Sequence, residues 1–570
     1  MYGQGTILQR GFLIMARIFA RMSLPAVAAS LATAAASPAV AQTRVADGDA
    51  RCRSLSDVRL DATTITGATL VARGAGAAAL GLPAAAGLPA FCRVVAHVRN
   101  APDSDVAVEV WLPVDGWAGV FHGNGNGGFA GTLQAGYGGM LNGLKRGYAT
   151  ATTDTGTAPA TMLDGDALVG HPRKWRDWGR LSTHVMTVTG KALARAFYGR
   201  AAARSYYTGC STGGQQGLIE ALHYPADYDA ILVGAPVISR TWGHAAVAWD
   251  YAAAHRGRGS LLTDVNLTLL HRAALAACRR QGAALPGDAF VADPLGCTFD
   301  PASLACREAV SDQCLSTEQI ATARAFYSGP TARDGRPAFF GWLPGSEGPG
   351  RFGWSFLQSA ANGQPQFAGL FKWVFGADWD WRGFDIGRDM PVVDAALDPV
   401  VNDATRGSLA AFRARGGKLI VYHGLADTLV PPAQSVAFYE RQARQLGGPA
   451  RMRDVARLFL APGVQHCGGG DGADSFNSAI AGIPAPAQAD AEHDLFAALI
   501  AWRERGRVPD RVVATKFDGA DPKRIAFQRP LCGYPRKAAY VGRGSTAVAD
   551  RFACAPARDR AAMIGAPRPS

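Results

Sequence analysis

The ten cysteines include no C-x-x-C pair, which makes zinc a poor explanation for them. Charge is sparse, at 18% of residues, and the excess of 58 Lys+Arg over 46 Asp+Glu is scattered, with no basic runs interleaved with aromatics. Phosphate recognition needs a contiguous basic footprint, so no nucleic-acid partner is expected. The glycine-rich stretch HGNGNGGFAG at residues 122–131 lacks a following Walker lysine and does not open a helix as a dinucleotide fingerprint does. A nucleotide site is therefore not expected there. No internal repeat is present, and after the N-terminal segment no stretch is long and apolar enough to span a bilayer.

What is present begins with length. A chain of 570 residues exceeds one small core, so one large domain with a big insertion, or two domains, is expected. Residues 1–41 carry arginines, an alanine-rich apolar stretch broken by Pro25 and Ser30, and Ala39-Val40-Ala41 before Gln42. That pattern predicts a cleaved export signal, with Met15 or Met22 as alternative starts, and no stable membrane insertion after cleavage. Export fits an even count of cysteines: Cys52, Cys92, Cys210, Cys278, Cys297, Cys306, Cys314, Cys467, Cys532 and Cys554.

Strand patterns (VAVEVWLPV, WAGVFHGNG, GYATATTDTG, SYYTG, YDAILVGAP, GKLIVYHG, ARLFLAPGV) alternate with helix patterns such as GGQQGLIEALHYP and PPAQSVAFYERQARQLGG. The alternation predicts an α/β fold with a mostly parallel sheet covered on both faces. The rhythm breaks between residues 238 and 407, where four cysteines fall and where residues 339–384 hold 13 Phe or Trp in 46 positions. An inserted lid is expected there, between a first sheet segment at 42–237 and a second at 408–570. The tail after about residue 515 reads as irregular.

Gly209-Cys210-Ser211-Thr212-Gly213 satisfies G-x-S-x-G between a predicted strand and a predicted helix, the context of an α/β-hydrolase nucleophile turn. A serine hydroxyl needs a positioned imidazole, and the imidazole needs a carboxylate. Asp427 follows the strand GKLIVYHG, and His466 follows the strand ARLFLAPGV, in the Ser, acid, His order of that fold. If Ser211 and His466 approach within hydrogen-bond reach, Cys210 and Cys467 are brought together as well. A bridge between them would close a loop worth on the order of 5 kcal/mol in the chain-entropy account. The oxyanion hole is expected from the backbone N–H of Thr212 and from the glycine-rich loop, with Gly127 and Gly128 as candidates.

These motifs, together with LPAFCRV, GNGGFAG, HPRKWRDWG, HGLADTLVPP, GVQHCGGG and RPLCGYPRKAAYVGRG, resemble the tannase and feruloyl esterase family of serine hydrolases, which includes mono(2-hydroxyethyl) terephthalate hydrolases. The resemblance runs from about Cys52 to Cys554. It implies an α/β-hydrolase fold with a large lid, the triad Ser211, Asp427 and His466, and the Cys210–Cys467 bridge. It further implies the pairs Cys52–Cys92, Cys278–Cys297, Cys306–Cys314 and Cys532–Cys554. Family members commonly hold calcium in the lid through several aspartates after the cysteine matching Cys278. Here that stretch reads CRRQGAALPGDAFVADPLGC, with only Asp288 and Asp293 remaining. A hard cation takes six to eight oxygens, so the calcium site is expected to be lost, leaving no metal or cofactor.

The expected activity is hydrolysis of small aromatic esters by an exported enzyme, periplasmic or secreted. Trp354, Phe356 and Trp373 are expected to hold the flat acyl ring, and His423 to line the pocket. The alternative is terephthalate monoester hydrolysis, which calls for a basic lid residue such as Arg351 or Arg382. A catalytically silent polyphenol or carbohydrate binder is the reading from another class. An intact triad argues against it, because a binder has no use for an imidazole–carboxylate pair behind a serine. Acyl transfer to an alcohol would use the same residues. Oligomeric state is not legible.

Overall fold

The computed structural model describes residues 47–74, 87–309, 311–350, 352–480, 482–519, 521 and 523–557; the expected export signal and Arg351 lie outside them. Nine strands form one mixed sheet: β1 (Thr63–Val71), β2 (Phe91–Val98), β3 (Val106–Pro113), β4 (Val120–Asn124), β5 (Ala149–Thr153), β6 (Arg204–Cys210), β7 (Ala230–Gly234), β8 (Lys418–Gly424) and β9 (Ala456–Ala461). Their spatial order is β1-β2-β3-β5-β4-β6-β7-β8-β9. β1, β2, β3 and β5 pair antiparallel in that order, and every pairing from β5 to β9 is parallel. β3, β4, β5 and β7 are buried at every position, as a sheet covered on both faces requires. The edge strand β1 is half-exposed throughout.

The parallel pairs need crossovers, and helices supply them. α1 (Tyr137–Lys145) joins β4 to β5, α2 (Ser182–Tyr198) joins β5 to β6, and α3 (Thr212–His223) joins β6 to β7. α2 stops at Gly199, whose φ of 69° is the left-handed conformation that ends helices. α3 begins directly at the predicted nucleophile turn, with Ser211 at its N-cap.

Between β7 and β8 the chain leaves the sheet and builds α4 (Arg240–Ala254), α5 (Asp264–Arg280), α6 (Thr317–Ser328) and α7 (Ile386–Val401). Capping boxes start α5, through Thr263 and Asn266, and α6, through Ser316 and Gln319. Their apolar faces share a second core in which Trp342, Trp354, Phe371, Trp373 and Trp379 are buried. Phe129 and Trp178, which precede the insertion by a long stretch of chain, belong to the same core, with ring centroids 5.1 Å apart. The insertion is thus welded to the segments that follow β4 and β5 by shared aromatic packing.

α8 (Ala433–Gln445) crosses from β8 to β9, and α9 (Leu495–Arg505) packs on β7 and β8. The tail is not irregular, contrary to expectation. It forms the antiparallel pairs β10 (Arg511–Phe517) with β11 (Ile525–Cys532) and β12 (Arg536–Tyr540) with β13 (Phe552–Pro556). Arg529 and Pro530 hide the strand pattern of β11 from a sequence reading, but paired with β10 their neighbours Leu531 and Cys532 are buried. Among the described residues no helix is long and apolar enough to cross a membrane.

The tail also reaches the insertion. Arg529 Nη2 donates to Asp288 Oδ1 at 2.6 Å, with both side chains nearly buried, and Lys537 Nζ donates to Asp293 Oδ2. Removing one partner of a buried ion pair leaves an uncompensated charge, so Arg529→Ala is expected to cost about 3–5 kcal/mol in urea unfolding. Adding Asp288→Asn should recover part of that loss.

Candidate active site

Ser211 sits at the sharp turn between β6 and α3 with φ 63° and ψ −122°, a conformation that L-residues rarely adopt. Such strain persists only where the surroundings over-determine it. Here Ser211 N donates to Gly234 O at 3.0 Å, and its carbonyl accepts from Gln215 N at 3.0 Å. The motif glycines are sterically required. A Cβ on Gly209 would stand 2.6 Å from Gly213 O, and one on Gly213 would stand 2.9 Å from Asn126 O.

The loop after β4 is fastened to the same turn. Gly213 N donates to Asn126 O at 2.7 Å, and Thr212 Oγ1 donates to Gly128 O at 2.8 Å. Gly127 and Gly128 line a cavity of about 440 Å³ together with Ser211 and His466. Thr212 is buried behind them.

Asp427 and His466 follow β8 and β9. Asp427 is completely buried, yet four donors surround it. Oδ1 accepts from Leu429 N at 2.8 Å and Val430 N at 3.0 Å. Oδ2 faces His466 Nδ1 at 2.8 Å and His423 Nε2 at 3.2 Å. Burial alone raises a carboxyl pKa, but the His466 charge, the hydrogen bonds from His423 and His466, and the His423 charge together outweigh it and hold Asp427 well below the ordinary carboxylate range. A carboxylate can only accept, so His466 Nδ1 carries the hydrogen, and in the neutral ring Nε2 is the acceptor.

Cys210 and Cys467 are disulfide-bonded with Cα atoms 6.0 Å apart, spanning 257 residues of chain. The other bridges are Cys52–Cys92, Cys278–Cys297, Cys306–Cys314 and Cys532–Cys554, and no described cysteine is free. Tyr422 Oη donates to Cys467 O at 3.0 Å, which fixes the histidine loop against β8.

Most of the cavity wall is apolar, with Met162, Leu163, Phe352, Phe356, Phe367, Leu429, Ile480 and Ile483, and Asn124, Asn126 and Thr208 add uncharged polar groups. Among the described lining residues none is Asp, Glu, Lys or Arg. Of the four residues expected from sequence to bind substrate, Phe356 lies on this wall and three do not. Trp354 is buried in the insertion's core, against the rings of Phe326 and Tyr327 at 5.0 and 4.8 Å, with Nε1 donating to Ser346 Oγ. Trp373 donates to Gly165 O at 2.9 Å and stacks on Trp175. His423 is fully buried between Ser435 Oγ, at 2.7 Å from Nδ1, and Val430 O, at 3.0 Å from Nε2, so it supports Asp427 and does not line the pocket. Arg382 is exposed, paired with Asp380 and laid over Trp381.

Arg240 was not legible in the sequence. It lies at the start of α4, is fully buried, and has no aspartate or glutamate partner among the described residues. Burial pushes its guanidinium down to about 9. Nε donates to Gln215 Oε1 at 2.9 Å, Nη2 donates to Thr212 Oγ1 at 3.0 Å, and the group lies 4.6 Å over the Trp178 ring. A positive charge thus sits one hydroxyl away from the carbonyl of Gly128.

With this geometry in place, similarity to known proteins becomes informative. The family described as tannase and feruloyl esterase matches residues 92–361 and 383–555. The chain belongs to that family. It is 37% identical to an uncharacterized esterase of Xanthomonas campestris pv. campestris, over 96% of each chain. It is 31% identical to the mono(2-hydroxyethyl) terephthalate hydrolase of Piscinibacter sakaiensis, over 89% of this chain and 92% of the relative. The crystal structure of feruloyl esterase B from Aspergillus oryzae superposes with a TM-score of 0.78 at 26% identity, over 89% of this chain and 100% of that one. As a member of this family the chain is a carboxylic ester hydrolase with an α/β-hydrolase fold.

Two outcomes follow. Arg240→Met should lower kcat on any ester the enzyme cleaves by about ten-fold with little change in KM, a fraction of the loss seen when a direct oxyanion donor is removed. Asp427, with its folded pKa depressed, adds stability that is complete above its unfolded pKa and fades in acid. The difference in urea midpoint between parent and Asp427→Asn should therefore be full above about pH 4 and shrink as pH falls below it.

Proposed function

We propose that the protein is an exported serine esterase that cleaves uncharged esters of aromatic acids of the feruloyl or galloyl type, with residues 238–407 acting as its lid. The observation that carries the reading is the Asp427–His466 hydrogen bond at the rim of a cavity that Ser211 shares and that an uncharged, phenylalanine-rich wall encloses. Five disulfides fit an oxidising compartment.

In this mechanism His466 Nε2 takes the proton of Ser211 Oγ as the oxygen attacks the ester carbonyl. The tetrahedral oxyanion is met by the backbone N–H groups of Thr212 and of Gly127 or Gly128. The carbon–alkoxide bond breaks, and His466 returns its proton to the leaving alcohol. Water then repeats the sequence on the acyl-enzyme, and the acid departs. Asp427 stabilises the imidazolium at both stages, and His423 holds Asp427 in place from its other side. Phe352, Phe356 and Phe367 offer ring faces to a planar acyl group.

Terephthalate monoester hydrolysis has the support of the 31% identical relative named for it. Against it stands the lining, since an ionised carboxylate entering this cavity would lose its hydration with no described cation to replace it. Calcium is not part of the proposed enzyme, because Arg529 and Lys537 occupy Asp288 and Asp293.

The test is to incubate the parent and Ser211→Ala with methyl ferulate, methyl gallate and mono(2-hydroxyethyl) terephthalate, and to quantify the released acid by chromatography. The parent should hydrolyse at least one methyl ester, with kcat/KM at least about ten-fold above that for the terephthalate monoester, and the variant should lose about 10⁴-fold or more in kcat. Residual turnover by the folded variant at parental rates would remove Ser211 from the mechanism. Preference for the charged monoester would reverse the substrate assignment.

A further inference from the structure

On the far side of α3 from the nucleophile, three side chains converge that take no part in the proposed mechanism. Glu220, in the last turns of α3, is fully buried with no N–H donor to either carboxylate oxygen, and burial together with the charge and hydrogen bond of the facing Asp227 carboxyl pushes its pKa well above the ordinary carboxylate range. Asp227 lies in the turn that follows α3, and His184 projects from α2. His184 Nδ1 stands 2.6 Å from Asp227 Oδ2, and the ligand atoms of all three residues lie within 4.8 Å of one another.

We propose that His184, Glu220 and Asp227 form a binding site for one divalent cation of the zinc class, which fastens the C-terminal end of the nucleophile-bearing helix to α2. One imidazole nitrogen and two carboxylates are a donor set that zinc accepts. Ligand atoms around a tetrahedral zinc stand about 3.4 Å apart, given bonds of about 2.0–2.1 Å. One observed separation, 2.6 Å, is shorter than that and none exceeds 4.8 Å, so the three donors are close enough to share one ion after side-chain adjustment. Two carboxyl groups brought this close in a buried place are costly to ionise together, and a cation between them would compensate both at once. The His184 side chain is one-third exposed, which gives the ion an entry path and leaves a fourth position for water. The Tyr224 ring, stacked on His184 with centroids 4.0 Å apart, holds the imidazole in orientation.

The Lys191 ammonium donates to the Asp227 carbonyl and opposes the ion's charge, so affinity depends on both carboxylates. This site is separate from the cysteines and the lid aspartates on which the expectation of no metal was based. The three residues lie 36 and 7 positions apart in a pattern that no short metal motif covers.

The experiment uses tag-free mature protein, stripped with EDTA and desalted. Zn²⁺ retained after gel filtration is counted by mass spectrometry of the metal, and Co²⁺ is added separately for its visible absorption. The expected result is one tightly held ion per chain and a Co²⁺ spectrum of low coordination number. Both should be lost in Glu220→Gln and in His184→Gln, with affinity down by at least the roughly 10–100-fold that changes in a metal's outer shell already cause. Circular dichroism identifies any variant that fails to fold, and His184→Gln, being partly exposed, keeps the comparison valid if Glu220→Gln does not. A parent that holds no ion, or folded variants that bind as the parent does, would overturn the proposal.

Discussion

Everything at the active site leans on a carboxylate that never meets water. Asp427 is buried, and it remains ionised because two backbone N–H groups and two imidazoles surround it. The turn after β8 is shaped to aim those N–H groups, and the loop after β9 is placed so that His466 closes the fourth side. A neutral Asp427 would release His466 from its tautomer, and the ring would no longer present an acceptor nitrogen to the cavity. The position of the imidazole is set from below by this carboxylate and from the side by the Cys210–Cys467 bridge.

A second, smaller network governs the other half of the site. The glycine-rich loop after β4 has no regular structure of its own beyond Asn124, yet it is fastened to the start of α3 through Asn126, Gly128, Thr212 and Gln216. Arg240 stands behind that contact with its charge balanced only by Gln215, Thr212 and the face of Trp178. An unpaired buried guanidinium is expensive, and in the proposed mechanism it stands behind the loop whose N–H groups meet the oxyanion. α4, the first helix of the insertion, thus carries a charge to the rear of the candidate site.

The residues that could be read from sequence were those that local pattern isolates. Ser211, Asp427 and His466 each follow a strand of apolar or aromatic residues and stand beside a glycine-rich or turn-forming segment, so position and chemistry coincide. The aromatic segment was visible as composition, but composition does not say which face a ring presents. Phe352, Phe356 and Phe367 face the cavity, whereas Trp354 and Trp373 spend their indole N–H groups on Ser346 and Gly165 inside the insertion. Ile480 and Ile483 carry no local signal at all; they reach the cavity because the loop after His466 folds back over it. Arg240 looked like any other arginine, since burial without a partner is a tertiary property. The tail strands were missed because charged and proline residues interrupt the pattern that pairing with neighbouring strands restores.

The uncharged cavity wall has a further consequence for the second half of the reaction. An ester hydrolase makes an acid, and at neutral pH that acid ionises as soon as it is free. In the proposed mechanism that charge arises at the carboxyl beside Ser211 and His466, while Phe352, Phe356, Phe367, Leu429 and Ile483 surround the rest of the acid. If the enzyme takes neutral esters as proposed, the wall around the acyl ring offers no described lysine or arginine to retain the acid once it ionises.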